Sequence, residues 1–477
     1  MKHLVRITSA VLLLLVGISA YAQTPNAKAP RPNVLLISID DLNDWVGFLK
    51  GHPQTITPNI DRLAGQGVVF SRTYCAAPSC NPSRTATLTG IAPWESGVYR
   101  NGQKWRQVLP DAVTLPQLFK NNGYYCAGGG KIFHHYQNDV ASWHEYFPSI
   151  TNGFPPNPRA PKKDQPKFEK WDRYYGEFTW GPQADDIDDE KTGDYQSVQY
   201  VIEKLKSLKS DRPFFLNCGI YRPHVPWFVP RKYFEKFPLD KIKLPETRSD
   251  DLDDLPPKQK NRHLRDKYYN ALDKNKLHGQ AVQGYLASVN YMDAMVGLVL
   301  DALDKSPHKD NTIVVFWSDH GYHLSEKHWY RKFTLWDDSV HVPLIIRLPK
   351  SMSASSYANG QTCSRAVGLL DLYPTITALA GLKPPKEISG RSLVPLLQDP
   401  KKDWPHPVLT VRDWARNYSV RTEKWCYIKR PDGHELYDQQ NDPHQFKNLA
   451  SDPTHAATLA RLQKHLPKNP KPAGMTK

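Results

Sequence analysis

The sequence predicts an α/β protein, with helices on both faces of a central, mostly parallel sheet and a small α+β subdomain at the C-terminal end. Three observations predict it. Unbroken apolar runs at Asn33 to Ile39, Pro213 to Gly219 and Thr312 to Trp317 have the length of strands buried on both faces. Segments with helical spacing of apolar residues lie between them. Polar residues follow the runs directly, where open parallel sheets hold ligands at strand carboxyl ends.

The first run ends in Asp40-Asp41. Taken alone, such a pair also suits a turn or a helix cap. Residues 58 to 68 read as a helix closed by glycine. Next comes Cys80-Asn-Pro-Ser-Arg-Thr-Ala-Thr-Leu-Thr-Gly90, with a helix expected from about Pro82. That start places Arg84 one turn from Cys80. An isolated Cys80 would read as a small buried thiol. A helix beginning near residue 113 then leads to Gly123-Tyr-Tyr-Cys-Ala-Gly-Gly-Gly-Lys-Ile-Phe-His134. Its glycines are not followed by the Lys-Ser or Lys-Thr pair of a phosphate loop.

Residues 150 to 195 are rich in Pro, Trp and charge and read as surface loops. An amphipathic helix is expected over 195 to 208. The second buried run then leads to Arg222-Pro-His224-Val-Pro-Trp227. The charge-dense stretch 239 to 270 reads as a solvated excursion in which the acids at 250, 251, 253 and 254 bind no metal. From Gln280 to Leu303 the apolar spacing is that of a core helix. The third run ends in Ser318-Asp319-His320-Gly321. A strand over Val342 to Leu348 and a helix over Asp371 to Gly381 complete the large domain, set at 33 to 402. Short strands such as Tyr418 to Arg421 and Trp425 to Lys429 mark a subdomain over 403 to 465. The Pro- and Lys-rich residues 466 to 477 read as disordered.

Residues 1 to 22 have the form of a signal peptide. Lys2 and Arg6 precede the apolar run from Val11 to Val16, and Ala20-Tyr21-Ala22 offers a cleavage site. Export to a periplasm or beyond the cell is therefore expected, with no second apolar run of membrane length. The formal net charge of +15 falls by two, to +13, when Lys2 and Arg6 leave with the peptide. Such a surface steers anions. It would suit nucleic acid as well, but no nucleic-acid motif is present, so none is expected as a partner. Six cysteines are too few for a disulfide scaffold; Cys126 and Cys218 fall inside strand-like runs and read as buried thiols.

The run from Cys80 to Gly90 resembles the sulfatase signature C-x-P-S-R-x-x-x-L-T-G of the alkaline phosphatase superfamily. Gly123 to His134 resembles the second motif of that family, with Cys126 where threonine is usual. The likeness extends from Asn33 to Ala450, closing on Glu435-Leu-Tyr-Asp438, Asp442-Pro443 and Asn448-Leu-Ala450. It implies an alkaline-phosphatase-like fold. It implies that a formylglycine-generating enzyme converts Cys80, before folding, to 3-oxoalanine, whose hydrate is the nucleophile. A diol suits covalent catalysis because its second hydroxyl can expel sulfate as the aldehyde reforms.

The resemblance also implies one calcium ion held by Asp40, Asp41, Asp319, His320 and the modified Cys80, with His320 alternatively a hydrogen-bonding neighbour. Lys131 is assigned to the nucleophile and His134 to deprotonating its second hydroxyl. His224 is to protonate the leaving oxygen, and Lys332, rather than the adjacent Arg331, is to bind sulfate. Arg84 is expected to stabilise the developing alkoxide.

Within the family the iduronate-2-sulfatase branch is closest in pattern, through Gly130-Lys-Ile-Phe-His134, Arg222-Pro-His-Val-Pro226, Ala287-Ser-Val-Asn-Tyr291 and the block from Lys332 to Leu344. Arg222 stands where that branch commonly has lysine. The implied activity is hydrolysis of sulfate esters on an oligosaccharide or polysaccharide. Two alternatives are a phosphodiesterase or phosphonate monoesterase, and a glycan-binding protein with inert chemistry.

Overall fold

A computed structural model describes residues 31–134, 137–150, 154–168, 178–353, 357–474. The expected signal peptide lies outside them. Pro32–Lys477 forms one compact unit.

The large sheet contains β1 (Asn33–Ile39), β2 (Val68–Phe70), β3 (Tyr125–Gly130), β4 (Glu145–Phe147), β5 (Phe214–Ile220), β6 (Thr312–Ser318), β7 (Leu344–Arg347) and β8 (Thr362–Cys363). Their spatial order is β8-β2-β7-β6-β1-β5-β3-β4. The centre is parallel: β1 lies between β5 and β6, and β3 pairs with β5 on its far side. β7 runs antiparallel to both β6 and β2.

Period-two alternation divides the core. Leu35, Ile37 and Ile39 of β1 face one cluster with Leu216, Val314 and Phe316. Helix α3 (Gly193–Ser207) and the long helix α5 (His278–Lys305) cover that face. Val34 and Leu36 point the other way, toward Phe215, Val315, Leu88, Phe119 and Ile376. Helices α2 (Cys80–Thr89) and α6 (Leu372–Leu379) lie there. The result is the expected α/β/α sandwich. Helix α5 is long and apolar enough to cross a membrane, but 78% of its most apolar window is buried inside the protein.

The β3–β5 pair is close because β3 ends in Gly130 and Gly219 is the penultimate residue of β5. A Cβ on Gly130, at φ +79°, would stand 1.9 Å from the Gly219 oxygen. One on Gly219 would stand 2.3 Å from the Lys131 oxygen. The Lys131 backbone can therefore dock on β5, and Lys131 N donates to Gly219 O at 3.1 Å.

The C-terminal sheet is an antiparallel meander of β9 (Val408–Arg412), β10 (Asn417–Arg421), β11 (Trp425–Arg430) and β12 (Gly433–Asp438). Arg421, buried on β10, holds it to the large sheet's loops through Asp337 and the Leu335 carbonyl.

Two expectations need correction here. The stretch 239 to 270 is solvated over 239–250 but partly internal from 251 onward. It carries α4 (Pro257–Leu264), and Leu252 and Leu255 pack with Trp336, Ile428 and Tyr437. Asp251 is 2% exposed and paired with buried Lys327, so one acid of the charged run is internal. Two leucines three residues apart were enough to anchor a charged segment. The tail is also ordered through Gly474. Lys471 N donates to Trp94 O at 2.7 Å, and Gly474 N to Gly97 O at 3.0 Å. Backbone hydrogen bonds, to which composition is blind, hold it.

Candidate active site

Four neighbouring parallel strands deliver the site. β6 leads into Asp319 and His320, β1 into Asp40 and Asp41, β5 toward His224, and β3 into Lys131. Cys80 opens helix α2 beneath these ends, two residues earlier than expected; Pro82 fits the first turn because its missing N–H has no helical partner to lose. All ten residues of α2 are buried, and the helix ends at Gly90 with φ 72°. Its N-terminus turns the positive end of the helix dipole toward Cys80.

The thiol is surrounded by charge. Cys80 Sγ lies 3.2 Å from His320 Nε2, 3.3 Å from Lys332 Nζ, 3.5 Å from Asp40 Oδ1 and 4.0 Å from Lys131 Nζ. His134 also hydrogen-bonds it. Burial pushes the thiol upward, but Lys131, Lys332 and His320 outweigh burial and hold it well below the ordinary thiol range. The other five cysteines are buried free thiols, and burial raises those of Cys126 and Cys218 instead.

Lys332 resolves the ambiguity with its neighbour. Its Nζ donates to Asp41 Oδ1 at 2.7 Å. Arg331 turns away and lies over Tyr268, 3.9 Å from the ring centroid. Arg331 and Phe333 both adopt positive φ, 74° and 76°, which tilts Lys332 inward between them. Lys131 Nζ makes a short ion pair with Asp40 and lies 4.9 Å from the centre of the Tyr221 ring. His224 stands further out, its Nε2 3.7 Å from Asp41 Oδ2 and its Nδ1 2.6 Å from the Val225 oxygen.

Arg84 is the fixed, buried cation expected near Cys80, and it also ties the scaffold together. Its Nε donates to Asp319 Oδ2 at 2.7 Å, Nη1 to the Lys131 and Ile132 carbonyls at 2.8 and 2.9 Å, and Nη2 to Ile39 O at 3.0 Å. These bonds lash three strand ends together. The guanidinium acts on Cys80 through its field while its donors are spent on the scaffold.

Asp40, Asp41 and Asp319 are each fully buried. Burial raises Asp319 to about 7 despite Arg84 and His320. Burial lowers His320, but Asp319 and Cys80 overcome it and raise the ring to about 9. Asp40 is held below the usual carboxylate range: burial and Cys80 push it up, but Lys131, His224 and Arg84 prevail.

Ligand atoms of Asp40, Cys80, Asp319 and His320 lie within 4.8 Å of one another, as do those of Asp40, Asp41, Cys80 and His224. Asp41 Oδ2 is buried without a hydrogen-bond partner among the described residues. Three buried carboxylates and one orphaned oxygen fit a divalent cation that prefers oxygen donors.

Sequence reasoning missed the supporting shell. Tyr285 OH donates to the Asp41 carbonyl at 2.8 Å, Ser83 Oγ donates to the Asp319 carbonyl at 2.5 Å, and Ser318 Oγ accepts from Leu42 N at 3.1 Å. Gln103 links the start of α2 to the tail: its carbonyl accepts from Asn81 Nδ2 at 2.7 Å while its Nε2 donates to Gly474 O at 2.8 Å. For Tyr285 and Gln103 no local pattern gives the role away, because Tyr285 reaches Asp41 across 244 residues and Gln103 reaches Gly474 across 371.

A layered α/β fold with a buried carboxylate–lysine–histidine centre at the strand ends defines a hydrolase with a metal-suited site. The sulfatase family model matches residues 32–382, and the model for the C-terminal part of N-sulphoglucosamine sulphohydrolase matches 325–471. The chain belongs to the sulfatase family and is a sulfuric ester hydrolase of alkaline-phosphatase-like fold. It is 34% identical over 466 residues to a sulfatase of Formosa agariphila, covering 92% of this chain and 87% of that protein. It is 31% identical over 399 residues to human iduronate 2-sulfatase, covering 76% and 71%. Among solved structures, a phosphonate monoester hydrolase of Silicibacter pomeroyi superposes with a TM-score of 0.74 at 22% identity, covering 91% of this chain and 94% of that one. BT4656 in complex with D-glucosamine-2-N,6-O-disulfate does so with 0.69 at 21%, covering 91% and 97%.

Proposed function

We propose that the chain is an exported sulfatase that removes sulfate from a sulfated carbohydrate, with iduronate-2-sulfatase-like chemistry. The observation that carries this is the convergence on Cys80 Sγ of Lys131, His134, His320 and Lys332 beside buried carboxylates. The relative acting as iduronate 2-sulfatase supports a sugar substrate, and the basic leader with its apolar run supports export.

Cys80, converted to formylglycine and hydrated, presents its hydroxyls where Sγ stands. Lys332 takes a sulfate oxygen. One hydroxyl gives its proton to Asp319, whose carboxylate lies within 4.8 Å of Sγ, and attacks sulfur; the bond from sulfur to the sugar oxygen breaks, and His224 hands that oxygen a proton. His134 then takes the proton of the second hydroxyl; the C=O bond forms, and the enzyme's C–O bond to sulfate breaks. Burial lowers the His134 ring's affinity for protons, which keeps it a neutral base at pH 7. Asp40, Asp41, Asp319 and His320 would hold a calcium ion, which would supply positive charge against the sulfate oxygens.

The reading is tested by mass and rate. The Cys80 peptide should carry the aldehyde, and sulfate esters of sugars should be turned over faster than phosphonate monoesters. An unmodified thiol, or a preference for the phosphonates, overturns it. Chelation should abolish turnover and lower the melting midpoint, since it unmasks repulsion among Asp40, Asp41 and Asp319. Calcium at about 100 times its Kd should return roughly 2.7 kcal/mol. Full turnover after exhaustive chelation would exclude the metal.

A further inference from the structure

A cleft of about 410 Å³ opens beside the nucleophile. Ser79, which precedes Cys80, lines it, and so do Arg331 and Phe333 on either side of Lys332. Arg262 of α4, Trp329 and Arg412 at the end of β9 complete its wall. With Arg100, four arginines thus line it, from four separate parts of the chain.

They are poorly compensated. Asp413 alone among the lining residues is acidic. Its Oδ2 lies 3.4 Å from Arg412 Nε and 3.8 Å from Arg262 Nη1. Arg412 is 8% exposed, and its Nη1 is buried with no hydrogen-bond partner among the described residues. Arg331 Nε is in the same condition. Burial and the neighbouring Arg262 together weaken the hold of Arg412 on its proton, against the pull of Asp413. Ring stacking does not answer this. Arg262 sits 5.0 Å from the Trp329 centroid and Arg331 3.9 Å from that of Tyr268, contacts that engage guanidinium faces; Arg331 Nη1 also donates to the Tyr268 hydroxyl at 3.1 Å, while Arg331 Nε and Arg412 Nη1 are left to be satisfied. Unmet buried donors and surplus positive charge are costly unless an oxyanion joins them. Guanidinium forks match planar carboxylates and sulfates.

We propose that this cleft is a second anion subsite, which holds a carboxylate or a further sulfate on the same saccharide whose sulfate ester is cut. This rests on the carbohydrate sulfatase reading above. Trp329 and Phe333 give the sugar ring apolar walls, while the arginines select polyanionic chains over singly sulfated neutral ones.

Equilibrium binding to the full-length Cys80→Ala chain, read by calorimetry, tests the proposal without turnover. One pair of probes is a 2-O-sulfated uronate disaccharide and its carboxyl-reduced form. The other is a disulfated galactose disaccharide and its singly sulfated form. In at least one pair the doubly charged sugar should bind about tenfold more tightly. The first pair reports a carboxylate and the second a sulfate. Introducing Arg412→Gln or Arg262→Gln should bring that ratio below about threefold. Arg262 is the more exposed of the two, so its variant serves if Arg412→Gln does not fold, and the ratio in the Cys80→Ala chain with both arginines intact needs no arginine variant. Equal affinities in both pairs, no binding of any probe, or a ratio that survives both substitutions overturns the subsite. Failure of the parent enzyme to release sulfate from any sugar would instead overturn the carbohydrate reading, which this binding measurement does not depend on.

Discussion

Cys80→Ala should lower sulfate release by at least about 10⁴-fold, because it deletes the atom whose place the attacking oxygen takes. Lys332 at 3.3 Å and His320 at 3.2 Å from Sγ would remain in place with nothing to activate. The fold should persist. The thiol sits at the start of a helix whose other nine residues are buried by their own contacts, and losing one sulfur should cost about 1 kcal/mol. Cys80→Ser discriminates more sharply. It supplies a hydroxyl of ordinary kind, so rapid steady-state turnover by that variant would show that a single oxygen suffices and that no diol is needed. Sulfate release and the melting midpoint, measured on the same preparations, separate chemistry from folding.

Arg84→Gln should be the most damaging to stability. The side chain is fully buried and gives hydrogen bonds to Asp319 and to the carbonyls of Ile39, Lys131 and Ile132. Glutamine reaches at most part of this set and leaves Asp319 and Asp40 with less positive charge beside them. Breaking a buried pair from one side costs about 3–5 kcal/mol. The expected outcome is a lower unfolding midpoint, poor soluble yield and loss of turnover together. A variant that melts within about 1 °C of the parent would show that the strand ends hold themselves in place.

The parts of the fold that sequence disclosed share a physical property. β1, β5 and β6 are unbroken apolar runs because both of their faces are covered, and each is followed closely by the polar residues it positions. Helix α5 showed itself by periodicity. What stayed hidden depends on partners far along the chain. The two- and three-residue strands β8 and β2 owe their state to their pairing with each other and with β7. The tail is held by hydrogen bonds to the backbone of Trp94 and Gly97. In the site, residue types and their motifs led to Cys80, Asp40, Asp41, Lys131, His134, Asp319, His320 and Lys332, which the structure gathers. Arg84 was placed near Cys80 by its position along the helix, which says nothing of which atoms its donors reach. The choice between Arg331 and Lys332 needed backbone angles that no one-dimensional pattern holds.

The burial of Cys80 sets a timetable for making the protein. Its helix is covered on all sides, and the central strand β1 lacks its neighbour β6 until residue 318 has left the ribosome. A further clasp on that helix, through Gln103 to Gly474, needs residue 474 to have emerged as well. Any enzyme that alters Cys80 therefore has only the time before the chain folds in which to reach it. A chain that folds unaltered has closed over its own cysteine, and adding the altering enzyme afterwards comes too late.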